Sequence, residues 1–183
     1  YRVLEKLGEG GMGVVYAGQD DSLDRRIALK TIRVTGDDSL RERFWREARA
    51  AASVSHPNVC PIYEIGEDTE GRLFLAMELL EGEPLSERIR RGALPVEEAL
   101  RVVCDILSAL EALHARHLIH RDLKPSNVFL TQHGVKILDF GLARPTSNDP
   151  LAQTGITQPG TVLGTPRYMA PEQVTGQELD GDR

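Results

Sequence analysis

Cysteine is scarce in this chain. Only Cys60 and Cys104 occur in 183 residues, with no C-x-x-C spacing, so no disulfide framework organises the fold. A reducing compartment is the expectation, with both cysteines as small core residues. Long apolar runs are missing too: nothing approaches the ~18–20 residues a membrane helix needs, and no signal-peptide pattern opens the chain. This segment is therefore expected not to insert in a membrane. Positive charge is in deficit, with Lys+Arg 22 against Asp+Glu 28 and a net charge of −6. The overall field would repel nucleic acid and anionic lipid, so neither is an expected partner. Internal repeats are absent. With 40% hydrophobic and 27% charged residues, Gly 17 and Pro 10, the composition is that of a folded globular protein and not of a disordered or collagen-like one.

At roughly 150 residues per domain the length suits one large domain or two small lobes. Up to about Met77 short β-branched or aromatic segments, Tyr1–Leu7, Val14–Gly18, Arg26–Ile32, Pro61–Gly66 and Leu73–Glu78, alternate with Gly and Asp turns and read as strands. One helix interrupts them. Ser39-Leu40-Arg41-Glu42 has the form of a capping box, and Leu40, Phe44, Ala51 and Val54 then share a helical face that also holds Glu47. After Glu81-Gly82-Glu83-Pro84 the pattern turns helical near Leu85–Arg91 and over Val96–His114, where Ala99, Val103, Ile106, Leu110 and Leu113 predict a buried stripe. A boundary near residues 78–84 divides the chain into 1–80 and 81–183. Val128–Leu130 and Val135–Leu138 read as two short strands around a turn. The stretch Pro145–Pro166, rich in Pro, Gly and Thr with Asp149 as its one charge, reads as a long loop of functional type.

Several motifs carry chemistry. Gly8-Glu9-Gly10-Gly11-Met12-Gly13-Val14-Val15 fits G-x-G-x-x-G-x-V. A dinucleotide fingerprint of that spacing must open a helix, whereas Val14-Val15-Tyr16-Ala17 continues as a strand. The alternatives are a hairpin that lays backbone N–H groups over phosphates or an ordinary glycine turn. Lys30 ends an otherwise apolar strand, and a buried ammonium needs a counter-charge, for which Glu47 is the expected partner, as a structural or a functional pair. His120-Arg121-Asp122-Leu123-Lys124-Pro125-Ser126-Asn127 packs a carboxylate, an ammonium and an amide into six residues, and Asp139-Phe140-Gly141 ends a strand with a second carboxylate. Together these suggest a metal and proton-transfer site, against the plainer reading of charged surface loops. Two other readings compete. His114, His117 and His120 with Cys104 upstream invite zinc but lack a structural zinc spacing. Asp122 and Asp139 could be a hydrolase carboxylate pair, which the neighbouring Lys, Asn and Gly residues disfavour.

Taken in order with Ala170-Pro171-Glu172, these motifs resemble the catalytic domain of eukaryotic-type (Hanks-type) serine/threonine protein kinases, in bacterial phrasing. Lys124 and the run Gly164-Thr165-Pro166-Arg167-Tyr168 resemble the Ser/Thr class. The resemblance implies an α+β bilobal fold: a complete N-lobe antiparallel sheet with one helix over 1–80, which binds nucleotide, and the first part of the helical C-lobe over 81–183, with catalytic and activation loops. It implies ATP and Mg²⁺, or Mn²⁺ in its place, as cofactors and a protein Ser or Thr hydroxyl as acceptor. Lys30 would hold the α/β-phosphates and Glu47 orient it. Asp122 would accept the hydroxyl proton and Lys124 neutralise the γ-phosphate. Asn127 and Asp139 would bind the metal. Gly8, Gly10 and Gly13 would cover the phosphates. Met77 would stand at the gatekeeper place, with the Glu78 and Leu80 backbones facing adenine, Val15, Ala28 and Phe129 sandwiching the ring, and Glu81 where a ribose contact is expected. Arg121 would receive an activation-loop phosphate, with Thr157 the first candidate and Thr161 and Thr154 the alternatives. Thr165 would bond Asp122 and Lys124.

The implied protein is cytoplasmic, or tethered to a membrane through a segment outside these residues, and dimerises to phosphorylate itself. Both ends of the chain read as cuts, and the helices that follow Ala170-Pro171-Glu172 in the family are missing from it. The alternative to an active signalling kinase is therefore an inactive fragment or a pseudokinase-like nucleotide-binding module. Apolar faces around Val103, Ile106 and Leu110 would then be partly exposed.

Overall fold

The computed structural model describes residues 1–10, 13–32, 38–139 and 166–171. Strands β1 (Arg2–Gly10), β2 (Gly13–Asp20), β3 (Arg25–Ile32), β4 (Ile62–Glu67) and β5 (Leu73–Glu78) form one antiparallel sheet in the order β1-β2-β3-β5-β4. β3 lies in the middle, paired with β2 on one side and β5 on the other. That position explains its composition: Ile27, Ala28, Leu29 and Ile32 are all buried, and β-branched or aliphatic residues fit a strand covered on both faces. β1, by contrast, is an edge strand exposed along its whole length. Helix α1 (Asp38–Ala52) starts one residue before Ser39, the expected cap, whose side chain lies outside the described residues, as does that of Leu40. Phe44, Ala48 and Ala51, at helical spacing, and Val54 just beyond the helix enter the main core with Ala28, Leu75 and Met77.

A second, three-stranded sheet follows, β6 (Gly82–Pro84), β7 (Val128–Thr131) and β8 (Gly134–Ile137), in the order β6-β7-β8. Between β6 and β7 the chain forms α2 (Leu85–Arg90) and α3 (Val96–His114). β8 is stitched to the segment that precedes β4. The Cys60 amide donates to the Ile137 carbonyl at 3.1 Å and the Ile137 amide to the Asn58 carbonyl at 2.8 Å. The Asn58 side-chain amide donates to the Val135 carbonyl at 2.9 Å. These bonds satisfy backbone groups that would otherwise be buried unpaired, and they fix the strand leading to Asp139 against the upper sheet.

Two expectations need correction. Val103 is 49% exposed and does not belong to the buried face of α3, which instead presents Val102, Ala109 and Leu113 to the core, with Ala99, Ile106 and Leu110 half-buried. Successive helix positions lie about 100° apart. Once Val102 is turned toward Leu85, Val128 and Val135, Val103 must point out. Cys104, next along that outward face, is likewise exposed, and only Cys60 is a core cysteine. Among the described residues no helix is long and apolar enough to cross a membrane.

Candidate active site

The segment after α3 closes on itself. Pro125 sits at the first position of a short 3₁₀ turn, Pro125–Asn127, where its missing N–H costs nothing. That turn brings the Asn127 side chain back to Asp122: Nδ2 donates to the Asp122 backbone carbonyl at 2.8 Å and to Asp122 Oδ2 at 3.2 Å. Lys124 Nζ donates to the same Oδ2 at 2.9 Å. Asp122 and Asn127 are buried, so each of these bonds, the two to the carboxylate being charge-assisted, offsets a desolvation cost.

His120 frames the loop from behind. It is 2% exposed, with Nε2 3.0 Å from the Leu138 carbonyl and Nδ1 accepting the Asp122 amide at 3.3 Å. Burial, the main cause, holds its pKa below the ordinary value, against the opposing pull of the backbone bonds and the Asp122 charge. The imidazole is therefore a neutral strut with both nitrogens engaged, which leaves it no lone pair for zinc. Among the described residues no group of three or more His, Cys, Asp and Glu side chains could hold a metal ion.

Arg121 and Asp139 adopt left-handed backbone conformations, with φ of 61° and 58°. A non-glycine residue there costs on the order of 1–3 kcal/mol and persists only where surrounding contacts hold it. Both carry charged side chains that cross to the upper sheet or to helix α1. Asp139 Oδ1 accepts a hydrogen bond from Lys30 Nζ, and Arg121 Nη1 donates to Glu47 Oε1 at 3.4 Å. The expected Lys30–Glu47 pair is therefore not the one present. A buried ammonium is satisfied by whichever carboxylate reaches it. Asp139 arrives at Lys30 from the end of β8, and Arg121 takes Glu47 on α1.

Lys30 is 6% exposed and stands opposite Val15 on β2 and Leu75 on β5. Ala28, next but one along the same strand, pairs with Ala17 and Met77. Val15, Ala28, Met77 and Leu80 share the main core cluster, while Phe129, half-buried on β7, pairs with Pro84 and Lys136. Gly10 and Gly13 face each other where β1 turns into β2. Gly13 has φ +148°, and a Cβ there would lie 1.7 Å from the Thr31 carbonyl oxygen. Only glycine fits. A Cβ at Gly8 or at Gly10 would meet nothing within 4 Å among the described residues.

The chemistry of the donor set suits a hard cation. Both described hydrogen bonds of the Asn127 side chain use Nδ2, which leaves the amide Oδ1, with the Asp139 carboxylate, as oxygen donors of the kind a hard divalent cation prefers. One contact has no signal in the sequence. Lys136 Nζ lies 3.1 Å from Glu78 Oε2. Lys136 sits between apolar Val135 and Ile137, and the alternation says that it faces away from them but names no partner. Phe140, Gly141, Thr154, Thr157, Thr161, Thr165 and Glu172 lie outside the described residues.

The family model for the protein kinase domain matches residues 1–182. The chain is 41% identical over 186 residues to serine/threonine-protein kinase pkn2 of Myxococcus xanthus, covering 98% of this chain and 22% of that protein. It is 41% identical to serine/threonine-protein kinase PksC of Streptomyces coelicolor, over 98% of this chain and 34% of that protein. With serine/threonine-protein kinase PknA of Mycobacterium tuberculosis the identity is 40%, over 97% of this chain and 42% of that protein. The chain thus spans less than half the length of each of these relatives.

Proposed function

Because this chain belongs to the protein kinase domain family, we propose that the protein of which it is part transfers the γ-phosphoryl group of ATP to Ser or Thr hydroxyls of protein substrates. The observation that carries this reading is the local closure of Asp122, Lys124 and Asn127 around one carboxylate oxygen, next to the Asp139–Lys30 contact. Phosphoryl transfer passes through a loose transition state whose charge is spread over oxygens, so positioning and placed cations supply most of the catalysis. Asp122 Oδ2 orients the acceptor hydroxyl and takes its proton. Lys124, already on that oxygen, stays close enough to balance the transferring charge. Lys30 binds the α/β-phosphates once it leaves Asp139. Asn127 and Asp139 would hold Mg²⁺, which shields the phosphate charge when bound.

The Glu47–Arg121 and Lys30–Asp139 pairs describe a resting arrangement, since transfer in this family requires Lys30 on Glu47 and Asp139 on the metal. We further propose that residues 1–80 and 81–183 are the two lobes and that phosphorylation at Thr157, with Thr161 and Thr154 as alternatives, draws Arg121 away from Glu47, one copy modifying another. Such a phosphate brings about −1.5 to −2 charge, which competes with a single carboxylate for the guanidinium. The parent protein would act in the cytoplasm, on its own or from a membrane anchor.

The test is Asp122→Asn in the full-length protein, assayed with ATP-Mg²⁺ and a Ser/Thr peptide. Loss of a general base should lower transfer by ~10²–10⁴-fold, with nucleotide affinity unchanged by calorimetry. A rate equal to wild type sinks the assignment, and a wild type that binds nucleotide without transferring phosphate would make the protein a binding module.

A further inference from the structure

β8 pairs with β7 on one side only, so the backbone groups of Val135 and Ile137 that point away from β7 form a free edge. Both residues are buried, and unpaired amides or carbonyls there would be costly. All four groups are satisfied. Three meet the segment that precedes β4: the Ile137 amide donates to the Asn58 carbonyl, while the Ile137 and Val135 carbonyls accept from the Cys60 amide and the Asn58 side chain. The fourth has a partner of another kind. The Val135 amide donates to Asp105 Oδ2, on α3, at 3.2 Å.

Aspartate is a weak helix former, yet Asp105 stands in the middle of α3. Its carboxylate is half-buried, with no other hydrogen-bond partner and no ion pair among the described residues. The turn between β7 and β8 makes room for it: Gly134 has φ +111°, and a Cβ there would crowd the same Oδ2 at 3.2 Å. α3 ends at His114, eight residues before Asp122, and β8 ends at Ile137, two residues before Asp139. Just past β8 the Leu138 amide donates to the Asn127 carbonyl at 2.9 Å. The Asp105 bond is therefore where the helix that leads to Asp122 grips the free edge of the strand that braces Asn127 and leads to Asp139. The other three edge bonds tie that strand to the upper sheet instead.

We propose that Asp105 is a positioning residue: by holding the Val135 amide it sets β8 against α3, and so sets Asn127 and Asp139, the two oxygen donors for a divalent cation, against Asp122. The consequence for metal and nucleotide rests on the function proposed above; the holding of β8 does not. Removing a group that orients metal ligands typically costs about 10–100-fold in metal affinity or activity. Asp105 acts through a strand and not by direct contact with a ligand, which places its effect at the lower end, about tenfold.

The experiment uses the full-length protein as wild type, Asp105→Ala and Asp105→Asn. Alanine removes the acceptor while strengthening the helix; asparagine keeps an acceptor oxygen without the charge. Hydrogen exchange at the Val135 amide reads the bond without any need for activity, and calorimetry of ATP with and without Mg²⁺ reads its effect. Asp105→Ala should exchange faster at Val135 and lose about tenfold of the affinity that Mg²⁺ adds, with the metal-free ATP affinity unchanged. Asp105→Asn should return both readings toward wild type. The same exchange pattern in a protein that transfers no phosphate to a Ser/Thr peptide in any form would leave the hold on β8 standing and remove the function proposed above. Unchanged exchange at Val135 in Asp105→Ala overturns the proposal, and so does faster exchange with an undiminished Mg²⁺ effect. Equal losses of ATP affinity with and without Mg²⁺, together with a lowered melting temperature, would make Asp105 a merely structural residue. An Asp105→Asn variant no better than Asp105→Ala would also overturn it, since the acceptor would not be what matters.

Discussion

The two halves of the site hold their charges over very different spans of chain. Below, Asp122 is bonded to Lys124 two residues away and to Asn127 five residues away, so a single turn of backbone delivers both of these partners. Above, Lys30 meets Asp139 across 109 residues and Glu47 meets Arg121 across 74. A local closure survives any rigid movement of the sheet above it, because all its members move together. A long-range pair depends on how two units sit, and its members can change partners at little cost as long as each buried charge finds an opposite one. The lower half is therefore built as fixed machinery and the upper half as an exchangeable contact.

The largest effect expected from this contrast comes from Lys30→Met. It removes the cation that would meet the phosphates but leaves the Asp122–Lys124–Asn127 closure untouched. Removing one preorganised electrostatic group typically costs ~10²–10³-fold in rate, and single-turnover transfer in the full-length protein should fall by that much. The melting temperature should change little, since Asp139, at 30% exposure, can turn to water. A comparable loss of stability would mean that Lys30 is as structural as Asn127 and would erase the distinction.

A finer test asks which partner Lys30 has in solution. Residues in contact show coupling energies of about 0.5–3 kcal/mol in double-mutant cycles, and residues without shared contacts add within about 0.5 kcal/mol. Denaturant unfolding of Lys30→Met, Asp139→Asn, Glu47→Gln and the two doubles should give a measurable Lys30–Asp139 coupling and a Lys30–Glu47 coupling near zero. The reverse ranking would place the unmodified protein in the productive arrangement and contradict the resting one proposed above.

The same contrast decides what can be read in the sequence. The five strands, α1 and the closure of Asp122, Lys124 and Asn127 are legible because each depends on residues near one another in the chain: alternation, helical spacing, a proline that starts a turn. Lys30 is legible as a buried cation in need of an anion, but the partner read from the sequence, Glu47, is not the one present, because Arg121 takes Glu47 and Asp139 reaches Lys30 from 109 residues away. The side of α3 that holds Val103 and Cys104 misleads for a related reason. Two apolar stripes run along that helix, and which one is buried depends on Leu85, Val128 and Val135 arriving beside Val102. The Lys136–Glu78 pair is invisible, since nothing local ties a lysine on one short strand to a glutamate 58 positions earlier.

The smallest effect belongs to His120, and it probes how tightly the lower half is closed. The folded pKa lies below the unfolded 6.5 because the ring is buried. Above pH 6.5 the ring is neutral in both states and its bonds to Leu138 and Asp122 contribute in full. As the pH falls below 6.5 the unfolded chain takes up a proton that the folded chain refuses, so stability is lost until the lower folded value is reached and the slope ends. One proton corresponds to at most about 1.4 kcal/mol per pH unit. Melting temperatures measured from pH 7.5 to 5 should therefore fall more steeply for wild type than for His120→Gln, which cannot titrate, while the other histidines and the carboxylates contribute alike to both. Parallel curves would mean that the imidazole is solvated enough to accept its proton in place, and the segment around Asp122 would then be as adjustable as the contacts above it.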